Sequence, residues 1–170
     1  MSSLIPLLVI FLVVIAVLIG KHKYSVEKKF DEREQVVRGQ AYRYAFTAMI
    51  IFEAAHIILL LILGRPMMAD GVSSLLAIFL SIGVFAAYCI FHDAFKQMQT
   101  KKGLKSYVLL LLAVVLLNGF AGWTSYQDGS LVADGILQMP VSSIACAATF
   151  LIVLICLLVK QARDRQEAAE

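Results

Sequence analysis

Charge is scarce in this chain. Asp, Glu, Lys and Arg together make up 16% of the 170 residues, against roughly 25% in an ordinary soluble domain. Hydrophobic residues make up 61% of the sequence and mean hydropathy is +0.84, whereas soluble domains are roughly 45–50% apolar. This composition excludes a soluble globular fold and points to helices in lipid. Cysteine is also scarce. Cys89, Cys146 and Cys156 all lie inside apolar runs, with no Cys-x-x-Cys spacing, which excludes a disulfide-stapled scaffold. They read as small apolar packing residues; the competing reading is a redox or metal role. Catalytic signatures are missing as well. There is no Gly-x-Ser-x-Gly, no His-Glu-x-x-His, no phosphate loop and no pair of intramembrane aspartates, so the expectation is a non-enzyme without metal or cofactor. No basic stripe interleaved with aromatics lies outside the juxtamembrane regions, so nucleic acid is not an expected partner.

What is present is a strong sorting of positive charge. The formal net charge is +3, and every Lys and Arg except Arg65 falls in residues 21–43, 96–105 or 160–165. Between these clusters lie apolar runs at 4–20, 45–64, 73–91, 107–123 and 141–159. A helix needs about 20 apolar residues to cross the hydrocarbon core. Basic residues beside spans stay on the cytoplasmic side. The pattern therefore predicts an all-α, polytopic transmembrane bundle of five spans. Its N-terminus is outside and its C-terminus cytoplasmic. The first run has no positive residue before it and no small-x-small cleavage site near its end, so it reads as an uncleaved span and not a signal peptide. Pro6 sits near its outer end, where a helix tolerates proline. The membrane expected is the cytoplasmic membrane of a bacterium, and its lipids are the first partners.

Two short segments in the outer loops echo each other. Ala69-Asp70-Gly71 precedes Val72-Ser73-Ser74, and Ala133-Asp134-Gly135 precedes Val141-Ser142-Ser143 at a longer distance. One reading is a duplicated hairpin; the other is that Asp-Gly is an ordinary turn signal. The polar segment 21–43 divides at Asp31. Asp31, Glu32 and Glu34 mark a helix start at the positive dipole end. Glu34 and Arg38 have the better order for a helical ion pair, and Val37, Ala41, Tyr44 and Ala48 carry an apolar stripe onward. This predicts a cytoplasmic juxtamembrane helix over 31–44 leading into the second span, with Gly39 as a weak point. The competing reading is a solvated linker. Arg33, Arg38 and Arg43 are its candidate docking or lipid-contact residues.

The run Phe30-Asp31-Glu32-Arg33-Glu34-Gln35-Val36-Val37-Arg38-Gly39-Gln40-Ala41-Tyr42-Arg43-Tyr44-Ala45-Phe46 resembles a stretch found just before a membrane span in small, uncharacterised bacterial multi-spanning membrane proteins. These carry Asp-Glu-Arg, then an Arg-Gly or Lys-Ala pair at helical spacing, then aromatics. The resemblance is local to residues 30–46. It implies a juxtamembrane location and no mechanism.

Within the apolar runs, Glu53 and His56 stand out. They are three residues apart in the second run, which places them on one helix face near mid-bilayer. An acidic group at that depth costs about 2.5–3.5 kcal/mol on insertion scales, so it needs a partner, a polar cavity or a shared proton. Proton relay, cation site and docking contact are the functional readings. The structural one is an interhelical hydrogen bond, with Asn118 of the fourth run as the named partner. A di-iron bundle would need further carboxylates and a second Glu-x-x-His, and no other apolar run has an acidic residue. Gly119 and Gly122 beside Asn118, Ser81 and Gly83, and Ser143, Ala147 and Thr149 read as small-residue packing faces. His92 and Asp93 read as solvated at the inner interface. The expected function is that of a small membrane protein working through protein or lipid contacts of its cytoplasmic segment. The alternative is a small oligomeric transporter or proton- or ion-conducting protein using Glu53 and His56.

Overall fold

The computed structural model describes residues 31–94 and 101–167, with side chains from residue 104 onward in the second stretch. The expected first span at 4–20, the segment 21–30 and the start of the basic loop at 96–100 lie outside the described residues. Those described form helices α1 (Glu32–Leu63), α2 (Val72–Phe91), α3 (Lys101–Gln127) and α4 (Val141–Glu167), with short strands β1 (Val132–Ala133) and β2 (Ile136–Leu137) between α3 and α4. All four helices are long and apolar enough to cross a membrane. They also display large apolar side chains outward: Leu61 is 76% exposed, Leu117 71% and Phe120 70%. Water would not tolerate so continuous an apolar surface; lipid tails do. This is the architecture of a helical integral membrane protein.

The helix α1 has 32 residues, about 48 Å of rise, against a hydrocarbon core of about 30 Å. Its apolar part begins near Tyr44, so the residues before it project beyond the core. The helix runs without a break through Gly39. It stops at Gly64, whose φ of 62° is the left-handed conformation that glycine adopts most cheaply. The Gly64 N–H donates to the Leu60 carbonyl at 3.0 Å.

Helix α4 is the centre of the bundle and packs against both α2 and α3. Its Val153, Leu154 and Leu157 meet Ala86 and Ile90 of α2 and Leu111 of α3, and all six are buried. Two small-residue contacts bring the helices close. A Cβ added at Gly83 of α2 would lie 3.3 Å from the Thr149 methyl of α4, and one at Gly122 of α3 would lie 2.6 Å from Ile144 Cγ1. Without a hydrophobic force between helices in lipid, such close approach is how they gain contact energy. Helix α1 is held to α2 at its inner part, where Ala41, Cys89 and Ala94 form a buried cluster with Val37, Phe85 and Tyr88 against it.

The two echoing Asp-Gly pairs have different geometries. Asp134 and Gly135 both have positive φ, 52° and 75°, and they join β1 to β2 with Val132 opposite Leu137 and Ala133 opposite Ile136. That is a two-residue type I′ hairpin turn. In the other pair only Gly71 is left-handed, at φ 80°, and it caps the start of α2. The two loops instead join edge to edge: Leu137 N–H donates to Met67 O at 2.9 Å and Ala69 N–H to Leu137 O at 2.8 Å.

Candidate functional site

Glu53 and His56 lie on the same side of α1. His56 Nδ1 is 3.8 Å from Glu53 Oε2, with side chains 20% and 31% exposed respectively. This separation exceeds a hydrogen bond, so the attraction is chiefly ionic and depends on a protonated imidazole. Ala48, Met49 and Phe52 are half-buried like the pair, and helical spacing places them on the same side. Their neighbours Ile50, Ile51, Ile57 and Ile58 are exposed. The two ionisable groups therefore sit on the covered side of a helix whose other side is apolar. Among the described residues no group of three or more His, Cys, Asp and Glu side chains is placed to hold a metal.

Asn118 does not serve as the partner expected of it. Its Nδ2 donates to the Val114 carbonyl of its own helix at 2.9 Å. A short amide side chain in a helix always has the carbonyl one turn back within reach, and that local acceptor satisfies the donor without any second helix.

The three arginines divide. Arg33 and Arg43 are exposed, and so are Val36 and Gln40; the spacing 33, 36, 40, 43 draws one stripe along the helix. Arg38 is half-buried. It is five residues from each of the others, about 140° around the helix. The side of α1 near Val37, Ala41 and Ala45 is turned inward, Ala41 being 0% and Ala45 7% exposed. In the apolar stripe read from the sequence Tyr44 departs, because it is 54% exposed. Ala45 takes its place in the contact.

The end of α2 carries a polar and aromatic cluster that sequence reasoning missed. The Tyr88 hydroxyl donates to Gln40 Oε1 of α1 at 2.7 Å. Its ring stacks on His92 at 4.0 Å with the planes 14° apart and lies 5.1 Å from that of Tyr44. Tyr42 meets Phe85 at 4.6 Å. His92 Nδ1 is 2.9 Å from the Tyr88 carbonyl. A carbonyl only accepts, so Nδ1 donates there, which leaves Nε2 as the ring nitrogen not engaged in this bond. Tyr88 and His92 are four apart, the one signal in the sequence, but Gln40 is 48 residues away.

His92 and Asp93 are not simply solvated. His92 is the C-cap of α2. Asp93 N–H donates to Ile90 O at 3.4 Å and Ala94 N–H to Cys89 O at 2.9 Å, the pattern of a Schellman motif. Asp93 takes the left-handed position with φ 60°, where glycine is usual. Its carboxylate lies 3.1 Å from Lys160 Nζ, which also pairs with Asp164 at 2.8 Å. The ends of α2 and α4 are thereby tied together.

Comparison with known protein families, curated proteins and solved structures gives no match. The site has to be interpreted from its own chemistry.

Proposed function

We propose that the chain is a five-span protein of the bacterial cytoplasmic membrane, N-terminus outside and C-terminus inside, that works as a membrane-held docking protein. Its contact surface for protein or lipid is the inner part of α1. One observation carries this reading. Arg33, Val36, Gln40 and Arg43 form an exposed stripe, touched by α2 at Gln40, on a helix that meets α2 through Ala41 and is continuous with a membrane span. A mixed cationic and apolar stripe that stays exposed on an ordered helix suits a partner or the headgroup layer. The orientation is supported by the charge sorting: Arg65 alone among Lys and Arg lies outside the three basic clusters, and such clusters remain inside.

Two measurements test this. Reporter fusions after Gly71 and Gly135 are expected to read outside, and fusions after Lys101 and Arg165 inside; a cytoplasmic signal at Gly135 removes the five-span topology. A photocrosslinking residue at Val36, 62% exposed, is expected to capture a discrete partner in cells, where one at the lipid-facing Ile62 does not. Equal capture at both sites removes the docking surface.

A second reading is supported by the 3.8 Å approach of His56 to Glu53 inside an apolar helix. In this reading an oligomer of the chain conducts protons or cations past the pair. Proteoliposomes loaded with a pH-sensitive dye test it. A flux removed by Glu53→Gln, with the fold intact, is the expected result, and the absence of any flux above empty liposomes ends it.

A further inference from the structure

Beside the cluster at the end of α2, a groove of about 590 Å³ is lined by Tyr44, Ile51, Val84, Ala87, Tyr88 and His92, among others, from α1 and α2. This lies within the range of small-molecule sites, roughly 300–1,000 Å³. Its chemistry is graded along its length. Ile51, Val84 and Ala87 make one end wholly apolar. Tyr44, Tyr88 and His92 make the other end amphipathic, at the depth where α2 terminates at His92. The exposed Arg43 adjoins Tyr44 in sequence. On the same helix Glu34 is ten residues from Tyr44, about 15 Å along the axis. Arg43 thus supplies a positive charge one residue from the groove's polar end, and the carboxylate nearest that end, Asp93 beside His92, is paired with Lys160 at 3.1 Å. That is the polarity of an inner-leaflet lipid: tail, then phosphate, then solvent.

We propose that this groove is a binding site for an anionic phospholipid with a hydroxyl-bearing headgroup. One acyl chain lies against Ile51, Val84 and Ala87. The phosphate is held by the Arg43 guanidinium, which matches phosphate with two parallel N–H donors. His92 Nδ1 is engaged by the Tyr88 carbonyl, which leaves Nε2 for a headgroup hydroxyl, a group that both donates and accepts. Tyr88 is the anchor of the site, because its hydroxyl is committed to Gln40 and its ring is stacked on His92. The inference rests on the orientation and on the lipid contact proposed above for the inner part of α1, and it names the lipid class and the place.

The test uses the full chain in nanodiscs of phosphatidylcholine. Equal mole fractions of phosphatidylglycerol or phosphatidylcholine carrying a diazirine in the acyl chain are added, and adducts are mapped by mass spectrometry. Labelling of the peptides bearing Ile51 and Ala87 is expected to favour phosphatidylglycerol about fivefold, the share of one basic residue at an anionic surface. Arg43→Gln is expected to erase that preference while Arg43→Lys largely keeps it; Arg43 is exposed, so neither variant disturbs packing. Ala87→Phe fills the groove and is expected to remove labelling by both lipids at these peptides. Equal labelling by the two lipids, or a preference unmoved by Arg43→Gln, marks ordinary annular lipid and overturns the site. The Val36 crosslink reads the docking surface separately. A partner captured at Val36 with no lipid preference sinks the lipid site alone. A lipid preference with nothing captured at Val36 sinks the protein-docking reading alone.

Discussion

Two glycines one turn apart in α3 give opposite expectations for the same substitution. A Cβ added at Gly119 meets nothing within 4 Å, whereas one added at Gly122 lies 2.6 Å from Ile144 Cγ1 and 3.7 Å from Ile144 Cα. Both positions gain the helix-propensity advantage of alanine over glycine, about 0.8–1.0 kcal/mol. Only Gly122 adds a clash. Ile144 cannot easily swing away, because a β-branched side chain in a helix keeps essentially one χ1 rotamer, so the helices must separate or strain. Overpacking of this kind costs about 1–3 kcal/mol. Gly119→Ala is therefore expected to stabilise by up to about 1 kcal/mol. Gly122→Ala falls below it by the whole overpacking cost, between about neutral and 2 kcal/mol destabilised. The cycle with Ile144→Ala isolates the cause. Ile144 is 41% exposed, so trimming it loses less than a full core truncation, and in the Gly122→Ala background it removes Cγ1 together with Cδ1, which would lie 3.5 Å from the added Cβ. A coupling of about 1–3 kcal/mol in the favourable direction is expected. The assay is reversible unfolding of the purified protein from mixed micelles into SDS, followed by circular dichroism or by Trp123 fluorescence. Indistinguishable Gly119→Ala and Gly122→Ala variants, or an additive cycle, would falsify the close approach of α3 to α4.

The same unfolding assay orders three variants at the left-handed cap of α2: Asp93→Gly relieves the φ 60° backbone while losing an exposed ion pair worth at most about 1 kcal/mol, and so stays near wild type; Asp93→Ala keeps the strain and loses the pair, and falls by about 1 kcal/mol. Equal stability of the Ala and Gly variants refutes the cap. Tyr88→Phe keeps the ring contacts and removes the hydrogen bond to Gln40, an expected loss of about 0.5–1.5 kcal/mol, whereas Gln40→Leu together with Tyr88→Phe recovers part of it by leaving no polar group unpaired; a Tyr88→Phe variant as stable as the parent removes this tie between α1 and α2. Glu53→Gln is expected to leave folding unchanged and Glu53→Leu to loosen packing if the carboxylate only binds a neighbour, both read by unfolding; loss of flux in Glu53→Gln alone marks a conducting role.

The class of fold was legible because its signal is long and redundant. A run of some 20 apolar residues needs no knowledge of its partners, and the four helices among the described residues each contain one. What failed were inferences that depended on a single short-range alternative. Asn118 was read as a cross-helix donor, yet the Val114 carbonyl lies one turn back, and a local acceptor requires no second helix to arrive. Asp70-Gly71 and Asp134-Gly135 are the same two letters in two geometries, since Asp-Gly specifies a turn but not whether a helix or a strand follows it. The arginine surface was legible in principle: a spacing of five cannot keep Arg33, Arg38 and Arg43 on one stripe. The sequence alone did not say which side was covered. That was settled by Ala41, whose small side chain meets Cys89 at the end of α2, and by the burial of Ala45 one turn on.

The residue least visible beforehand matters most to the candidate site. Tyr88 has no motif around it, and its partners come from another helix and from its own last turn. It ties the inner part of α1 to the His92 ring. Because α1 is unbroken from Glu32 to Leu63, a partner or lipid engaging the exposed stripe acts on the same rigid rod that holds Glu53 and His56. The coupling between the two ends is therefore a matter of rigid-body displacement against the Ala41 contact, not of a relay of side chains. Loosening that contact at Tyr88 and Gln40, with Glu53 and His56 untouched, is the perturbation that separates a helix used for docking from one used for conduction. In the first case capture at Val36 changes and flux remains absent; in the second, flux changes while the stripe itself is intact.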